Sequence, residues 1–176
     1  MKDIVKRLIQ IGAIKKGKFI LSSGKESNIY IDLRLVLSYP DLYEKIVEEC
    51  AQILKNIGFD AIAGIPTGGL AWASFLAYRL RKPLIYVRKE SKGHGAQKLI
   101  EGQLKENSSV IIVDDVATTG GNIFDAYEKL QSQNYFAKYA FVIVDREEGA
   151  REKLSEKGIE LLSLLKMINI TSLLNS

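Results

Sequence analysis

Apolar and polar positions follow two different rhythms along this chain, and the change comes near residue 58. Beyond that point, short apolar runs rich in β-branched residues predict strands over 59–65, 83–87, 110–114, 137–144 and 159–164. Segments of helical period separate them. Leu70, Ala73, Ala77 and Leu80 fall on one face, as do Ile123, Ala126, Tyr127 and Leu130. Strands alternating with helices imply an α/β protein with a central, mostly parallel sheet covered by helices on both faces. Before residue 58 the pattern predicts a short amphipathic helix over 2–11 and a longer one marked by Leu42, Ile46, Cys50, Ile53 and Ile57. Between them, 19–21 and 28–35 read as two strands joined through 22–27, a small hairpin subdomain beside the main sheet. No repeat or linker interrupts the chain, so one domain over 1–176 is expected, with N-terminal elements in 1–36 and a core in 40–165. One link departs from the pattern: 88–107 opens with a polar, glycine-containing stretch that has no helical period.

Composition narrows the class. The 176 residues are 47% hydrophobic and 26% charged, which excludes a disordered or fibrous chain. Cys50 is the single cysteine, so neither an intramolecular disulfide nor a cysteine-based zinc site is available. The N-terminal segment mixes charges into its apolar positions, unlike a signal peptide. Residues 61–78 carry no charge, yet Gly64-Ile65-Pro66-Thr67-Gly68-Gly69 in their middle would break a membrane-spanning helix. A soluble, cytoplasmic protein is expected. A net charge of +4 permits an anionic ligand or a nucleic acid without demanding either.

The densest chemistry lies in 110–122, VIIVDDVATTGGN. A buried strand delivers Asp114 and Asp115 to the carboxyl edge of the sheet, where open α/β sheets bind ligands. Thr118, Thr119, Gly120, Gly121 and Asn122 then turn into a helix, and clustered backbone N–H groups at such a turn suit a phosphate. Two adjacent acids would repel that phosphate, so they fit sugar hydroxyls or a phosphate-bound Mg²⁺, the alternative being ordinary helix-capping acids. A second segment, 88–98, carries Arg88, Lys89, Lys92 and Lys98 against the single acid Glu90, with the only histidine, His94, between glycines. It accounts for most of the net charge. It reads either as a solvated basic loop or as a loop that closes over a highly charged anion and excludes water. Thr67, Gly68 and Gly69 mark a third strand-to-helix turn where backbone approaches a second anion, or simply a tight turn. Arg146, in Asp145-Arg146-Glu147-Glu148-Gly149-Ala150, offers a fork-shaped partner for a carboxylate, or else a surface ion pair with Glu147 or Glu148.

Taken together, these segments resemble the type I phosphoribosyltransferases. The Asp-Asp strand end with its Thr-Gly loop matches their ribose-phosphate signature, and Arg88-Lys89-Glu90 with Lys92, His94 and Gly95 is similar to the catalytic loop of the orotate phosphoribosyltransferase branch. Residues 19–34 and 145–150 resemble that branch's N-terminal hood and base-recognition segments. The resemblance implies a type I phosphoribosyltransferase fold and transfer of the 5-phosphoribosyl group from phosphoribosyl pyrophosphate to orotate, with Mg²⁺ bound mainly through the substrate. It implies that Asp114 and Asp115 hold the ribose hydroxyls, while Val116, Ala117, Thr118, Thr119, Gly120, Gly121 and Asn122 surround the 5-phosphate. Arg88, Lys89, Lys92 and His94 would bind the pyrophosphate group, with Lys92 and His94 stabilising its departure and Thr67, Gly68 and Gly69 forming the pyrophosphate loop. Orotate would meet Thr118 and Arg146. Many members have Lys where Ser22 stands; Lys25, three residues on, is the candidate substitute, and Tyr30 either flanks the base or packs inward. The family's loop reaches a partner subunit's site, which implies a homodimer sharing 88–98, with neither nucleic acid nor membrane as partner. The chain's length leaves no room for a fused decarboxylase barrel, so a monofunctional enzyme is expected. A transferase for another base and a non-enzymatic sensor of phosphoribosyl pyrophosphate are the rival readings.

Overall fold

The computed structural model describes residues 1–20, 24, 26–89 and 99–174. Two compact units divide it, one from Met1–Ile46 with Met167–Ser176 and the other from Val47–Lys166.

In the first unit, α1 (Lys2–Gln10) buries Ile4, Val5 and Leu8 along one stripe. The antiparallel pair β1 (Ile14–Ile20) and β2 (Glu26–Ile31) follows. The hairpin is there, but its bounds differ from expectation. β1 begins five residues earlier than the predicted 19, because Lys15, Lys16 and Lys18 sit on an exposed ladder whose polar composition hides the strand. β2 ends at Ile31, and 33–35, expected as the end of that strand, belong instead to a 3-10 turn over Leu33–Ser38. The cause is local: the Asp32 carboxylate accepts the Arg34 backbone N–H (3.1 Å) and pairs with its guanidinium, an alternative to the ladder. A C-terminal helix, α6 (Met167–Leu174), completes the unit.

The second unit is built on a six-stranded sheet ordered β5-β4-β3-β6-β7-β8. Its strands are β3 (Ala61–Gly64), β4 (Leu84–Val87), β5 (Ile100–Glu101), β6 (Ser109–Ala117), β7 (Phe136–Asp145) and β8 (Glu160–Lys166). Every pairing is parallel except that of β5 with β4. Helices α3 (Gly68–Leu80), α4 (Gly121–Gln131) and α5 (Ala150–Ser155) connect the strands. The helix α2 (Pro40–Leu54) enters this unit at Val47, with Cys50, Ala51 and Leu54 buried. Side chains alternate across β6. Val110 and Ile112 pack with Ile123, Ala126 and Leu130 of α4 and Leu154 of α5, while Ile111 and Val113 are buried in the opposite direction. Gly64 lies directly under Leu70 and Ala73 of α3, where a Cβ would come within 2.8 Å of the Ala73 methyl.

The strand order fixes where a ligand goes. From β3 the chain steps outward to β4 and β5, then returns to the other side of β3 and continues through β6, β7 and β8. The direction therefore reverses between β3 and β6, and the loops leaving those two strands diverge there. In open α/β sheets a crevice at that point is where ligands bind.

Candidate active site

The crevice forms because β3 and β6 stop at different places. β3 pairs with β6 only as far as Gly64 with Val113, whereas β6 runs on beside β7 to the pair Ala117 with Asp145. Asp114 and Asp115 thus lie within β6, not after it, on a stretch that has lost its β3 neighbour. Pro66 and Thr67, joined by a cis peptide bond, lead into that gap. Gly68 and Gly69 are the first residues of α3, where the sequence had placed them in the turn. Both come against the acids. A Cβ on Gly69 would lie 2.6 Å from Asp114 Cα, and one on Gly68 would overlap the Asp115 carboxylate.

The two carboxylates are held by their own strand. Asp114 Oδ1 accepts the Asp115 backbone N–H and Asp115 Oδ1 accepts that of Val116, each at 2.9 Å. Asp114 is only 4% exposed. Burial pushes its carboxyl well above the ordinary carboxylate range, and the Asp115 charge adds to the shift. Hydrogen bonds from the Asp115 backbone and the Asn122 side chain oppose it. Further hydrogen-bond donors placed against this carboxyl would favour its ionised form.

Thr118, Thr119 and Gly120 form the loop between β6 and α4, with Gly120 as N-cap at φ 77°. Gly120 also packs on the Ala150 backbone, where a Cβ would come within 3.2 Å of Ala150 Cα. Positive φ and close approach both demand glycine here. Gly121 and Asn122 open α4, while Val116 and Ala117 still belong to β6. The first turn of α4 therefore presents its N–H groups beside this loop, a fit for an anion.

On the β4 side, Arg88 and Lys89 line a cavity of about 200 Å³ together with Ile65, Val87, Asn122, Asp125 and Lys129. Lys92 and His94, predicted in the same segment, lie outside the described residues, as do Ser22 and Lys25. Tyr30 is in β2 of the first unit, half-buried, with its ring stacked on Phe19 at 5.3 Å.

On the β7 side, Asp145 is fully buried, accepting the Glu147 backbone N–H (2.9 Å) and the Arg151 guanidinium (2.8 Å). The Arg146 backbone N–H donates to Ala117 O at 2.9 Å, tying the segment 145–150 to the end of β6. Arg146 is buried too, and its Nε donates to Glu148 Oε1 at 2.6 Å. The ion pair weighed from sequence therefore exists, but it is buried, not a surface pair. Glu148 Oε2 is also buried and has no hydrogen-bond partner among the described residues. Sequence reasoning missed Lys129 and the positioning role open to Glu148, since neither stands in a glycine-rich or acidic run that would single it out.

Comparison with known proteins agrees with this arrangement. A family model described as a phosphoribosyl transferase domain matches residues 36–163. The orotate phosphoribosyltransferase of Sulfolobus acidocaldarius is 46% identical over 174 residues, covering 99% of this chain and 86% of that one. The crystal structure of orotate phosphoribosyltransferase from Aeropyrum pernix superposes with a TM-score of 0.90 at 41% identity, covering 98% of both chains. A structure of Leishmania donovani UMP synthase gives 0.89 at 34% identity, with this chain covering 38% of it. On its fold, its site and these similarities, the chain belongs to the orotate phosphoribosyltransferase branch of the type I phosphoribosyltransferases.

Proposed function

We propose that this chain transfers the 5-phosphoribosyl group from phosphoribosyl pyrophosphate to orotate in pyrimidine synthesis, giving orotidine 5-phosphate and pyrophosphate. The observation that carries the reading is the meeting of the glycine-bearing start of α3 with the acids of β6, whose strand runs on into the glycine turn of α4, at the point where the sheet reverses direction. In the reaction the bond from the anomeric carbon to the diphosphate oxygen breaks, and one from that carbon to orotate's ring nitrogen forms. Asp114 and Asp115 orient the ribose through its hydroxyls. The Thr118–Gly121 turn holds the 5-phosphate, and Arg88, Lys89, Lys92 and His94 balance the charge of the departing diphosphate. Arg146, buried and aligned by Glu148, receives orotate's carboxylate beside the Thr118 hydroxyl. No general base is required, because orotate's ring nitrogen is already acidic. Positioning and charge stabilisation make up the catalysis.

The described residues contain no cluster of three or more His, Cys, Asp or Glu that could hold a metal ion. The adjacent acids Asp114 and Asp115 suit an Mg²⁺ ion held largely by substrate oxygens, with the two carboxylates beside it. When bound, the ion neutralises charge on the diphosphate leaving group. None of the described helices is long and apolar enough to cross a membrane, and a cytoplasmic setting forms part of the proposal.

Pyrophosphate release measured with orotate, uracil, adenine and hypoxanthine tests the reading. Turnover is expected with orotate and not with the other three. Equal turnover with another base, or none with any, would replace it with one of the rival functions.

A homodimer with shared sites belongs to the same proposal. Phe75 is 52% exposed and Tyr78 85% on α3, an aromatic surface that a second copy would cover. Lys92→Ala and Arg146→Ala homodimers should each be nearly inactive. After mixing in equal amounts and exchange, half the dimers carry one intact site, so about a quarter of native activity should return. No recovery, with exchange verified by mass, contradicts shared sites.

A further inference from the structure

Lys129 does something that neither its sequence context nor the resemblance assigns. It sits on α4, two turns beyond the start of the helix, next to the buried stripe of Ile123, Ala126 and Leu130. Its ammonium donates to the backbone carbonyls of Arg88 and of Lys89, both at 2.9 Å. These are the residues where the chain leaves β4. Arg88 is fixed twice more: its backbone N–H donates to Leu99 O (2.8 Å) and its guanidinium pairs with Glu101 (3.2 Å). Lys129 itself has no carboxylate partner among the described residues, although Asp125 lines the same cavity one helical turn away. Its ammonium is thus committed to the two carbonyls.

The consequence is geometric coupling. α4 begins at Gly121 and Asn122, beside Asp114, and the same rigid helix grips the main chain of Arg88 and Lys89 two turns later. We propose that Lys129 is a positioning residue that holds the diphosphate-binding pair Arg88 and Lys89 in register with the ribose-phosphate loop. A lysine suits this task because its three donors radiate from a point and reach two carbonyls at once. The proposal rests on the reading of Arg88 and Lys89 as diphosphate ligands, and it goes beyond that reading by naming what places them.

The test compares Lys129→Met, Lys129→Arg and Arg88→Ala in the full-length enzyme, with KM for each substrate and melting temperature measured. Lys129→Met keeps the apolar stem and removes the donors. Hydrogen bonds to a charged group are worth enough that KM for phosphoribosyl pyrophosphate should rise about five- to tenfold, with KM for orotate within about twofold. Lys129→Arg should restore most of the loss. A uniform rise in both constants, or no change in the first while Arg88→Ala raises it strongly, overturns the role of Lys129 alone. If Arg88→Ala also leaves that constant unmoved, the underlying assignment of Arg88 falls, and the proposal with it. Should Lys129→Met fail to fold, Lys129→Gln, which keeps one donor group, takes its place under the same criteria.

Discussion

Gly69→Ala is expected to disable the enzyme and to destabilise it, whereas Gly68→Ala should disable it and leave stability near native. The two glycines are adjacent in α3 and both face the acids, yet they meet different atoms. A methyl at 69 would lie 2.6 Å from Asp114 Cα and 2.8 Å from Val113 O, and that carbonyl already accepts the Ile65 N–H at 3.0 Å. Backbone in the central strand has nowhere to move, so the overlap strains both elements, at a cost of about 1–3 kcal/mol or more. The three atoms nearest a methyl at 68 all belong to the Asp115 carboxylate, with Cγ 2.6 Å away, and a carboxylate on a rotatable bond swings aside at the loss of its hydrogen bond from the Val116 N–H. Helix propensity favours alanine over glycine by about 1 kcal/mol, which further protects the fold of that variant. Displacement of a substrate-orienting acid by an ångström is sufficient to lower kcat/KM by about 10²-fold or more in both cases. Thermal melts beside steady-state rates check the pair. Equal melting temperatures for the two variants would refute the distinction between backbone and side-chain contact.

That contact could not have been read from the chain. The sequence predicts strands over 59–65 and 110–114 and a turn at 66–69, and the main sheet follows that outline closely. What places Gly69 against Asp114 is the unequal length of two neighbouring strands, since β6 continues to Ala117 after β3 has ended at Gly64. Register and termination depend on tertiary pairing, and local pattern carries little of either. Strands buried on both faces were legible because their apolar runs are unbroken. The β1–β2 hairpin differs from expectation because its exposed ladder alternates lysines with glycine, and the expected strand over 28–35 stops short of 33–35 because a single Asp32 cap redirects the chain. The short pieces β5 and α5 and the C-terminal α6 went unpredicted, being too brief or too flanked by polar residues to show a period. At the candidate site, glycines, acids and the basic segment announce themselves by composition. Lys129 and Glu148 act on atoms remote in sequence or through burial, and only coordinates reveal them.

Under the proposed function, the buried pairing of Arg146 with Glu148 would let one residue act both as structure and as orotate receptor. Its Nε is committed to Glu148 and its backbone is tied to Ala117, so the guanidinium plane is set without a ligand. Preorganisation of this kind lowers the ordering cost of binding. It also makes Glu148 a determinant of alignment, with a second buried oxygen, Oε2, available to a donor from the ligand or from solvent.

Asp114→Asn should make the protein more stable at neutral pH and nearly inactive. The cause is a native-state carboxyl held well above its ordinary value of 3.8, chiefly by burial and then by the Asp115 charge. An acid with a raised native pKa binds its proton more tightly when folded, so native stability falls as pH rises from the unfolded value through the folded one, then levels off. Below about pH 3.8, where Asp114 is protonated in both states, native and variant should melt alike apart from the difference between an acid and an amide. With rising pH the native enzyme loses stability that the neutral amide keeps. The gap should widen and then saturate, and it is read as a rise in melting temperature, about 2–4 °C for each kcal/mol in a chain of this size. The amide oxygen preserves the hydrogen bond from the Asp115 N–H, so the fold has no reason to suffer. Activity moves the other way, because a neutral amide neither accepts two ribose hydroxyls as strongly nor offsets the positive charge that develops on the sugar. A fall of about 10²–10³ in kcat/KM is expected. Hydroxyl donors and a nearby cation both favour the ionised carboxyl, so binding of Mg²⁺-phosphoribosyl pyrophosphate to the native enzyme should release a proton near the raised pKa. Calorimetry in buffers of different ionisation enthalpy measures that release directly, and the asparagine variant should lack it. A variant that is no more stable at pH 7, and that releases the same proton, would place the perturbed group somewhere other than Asp114.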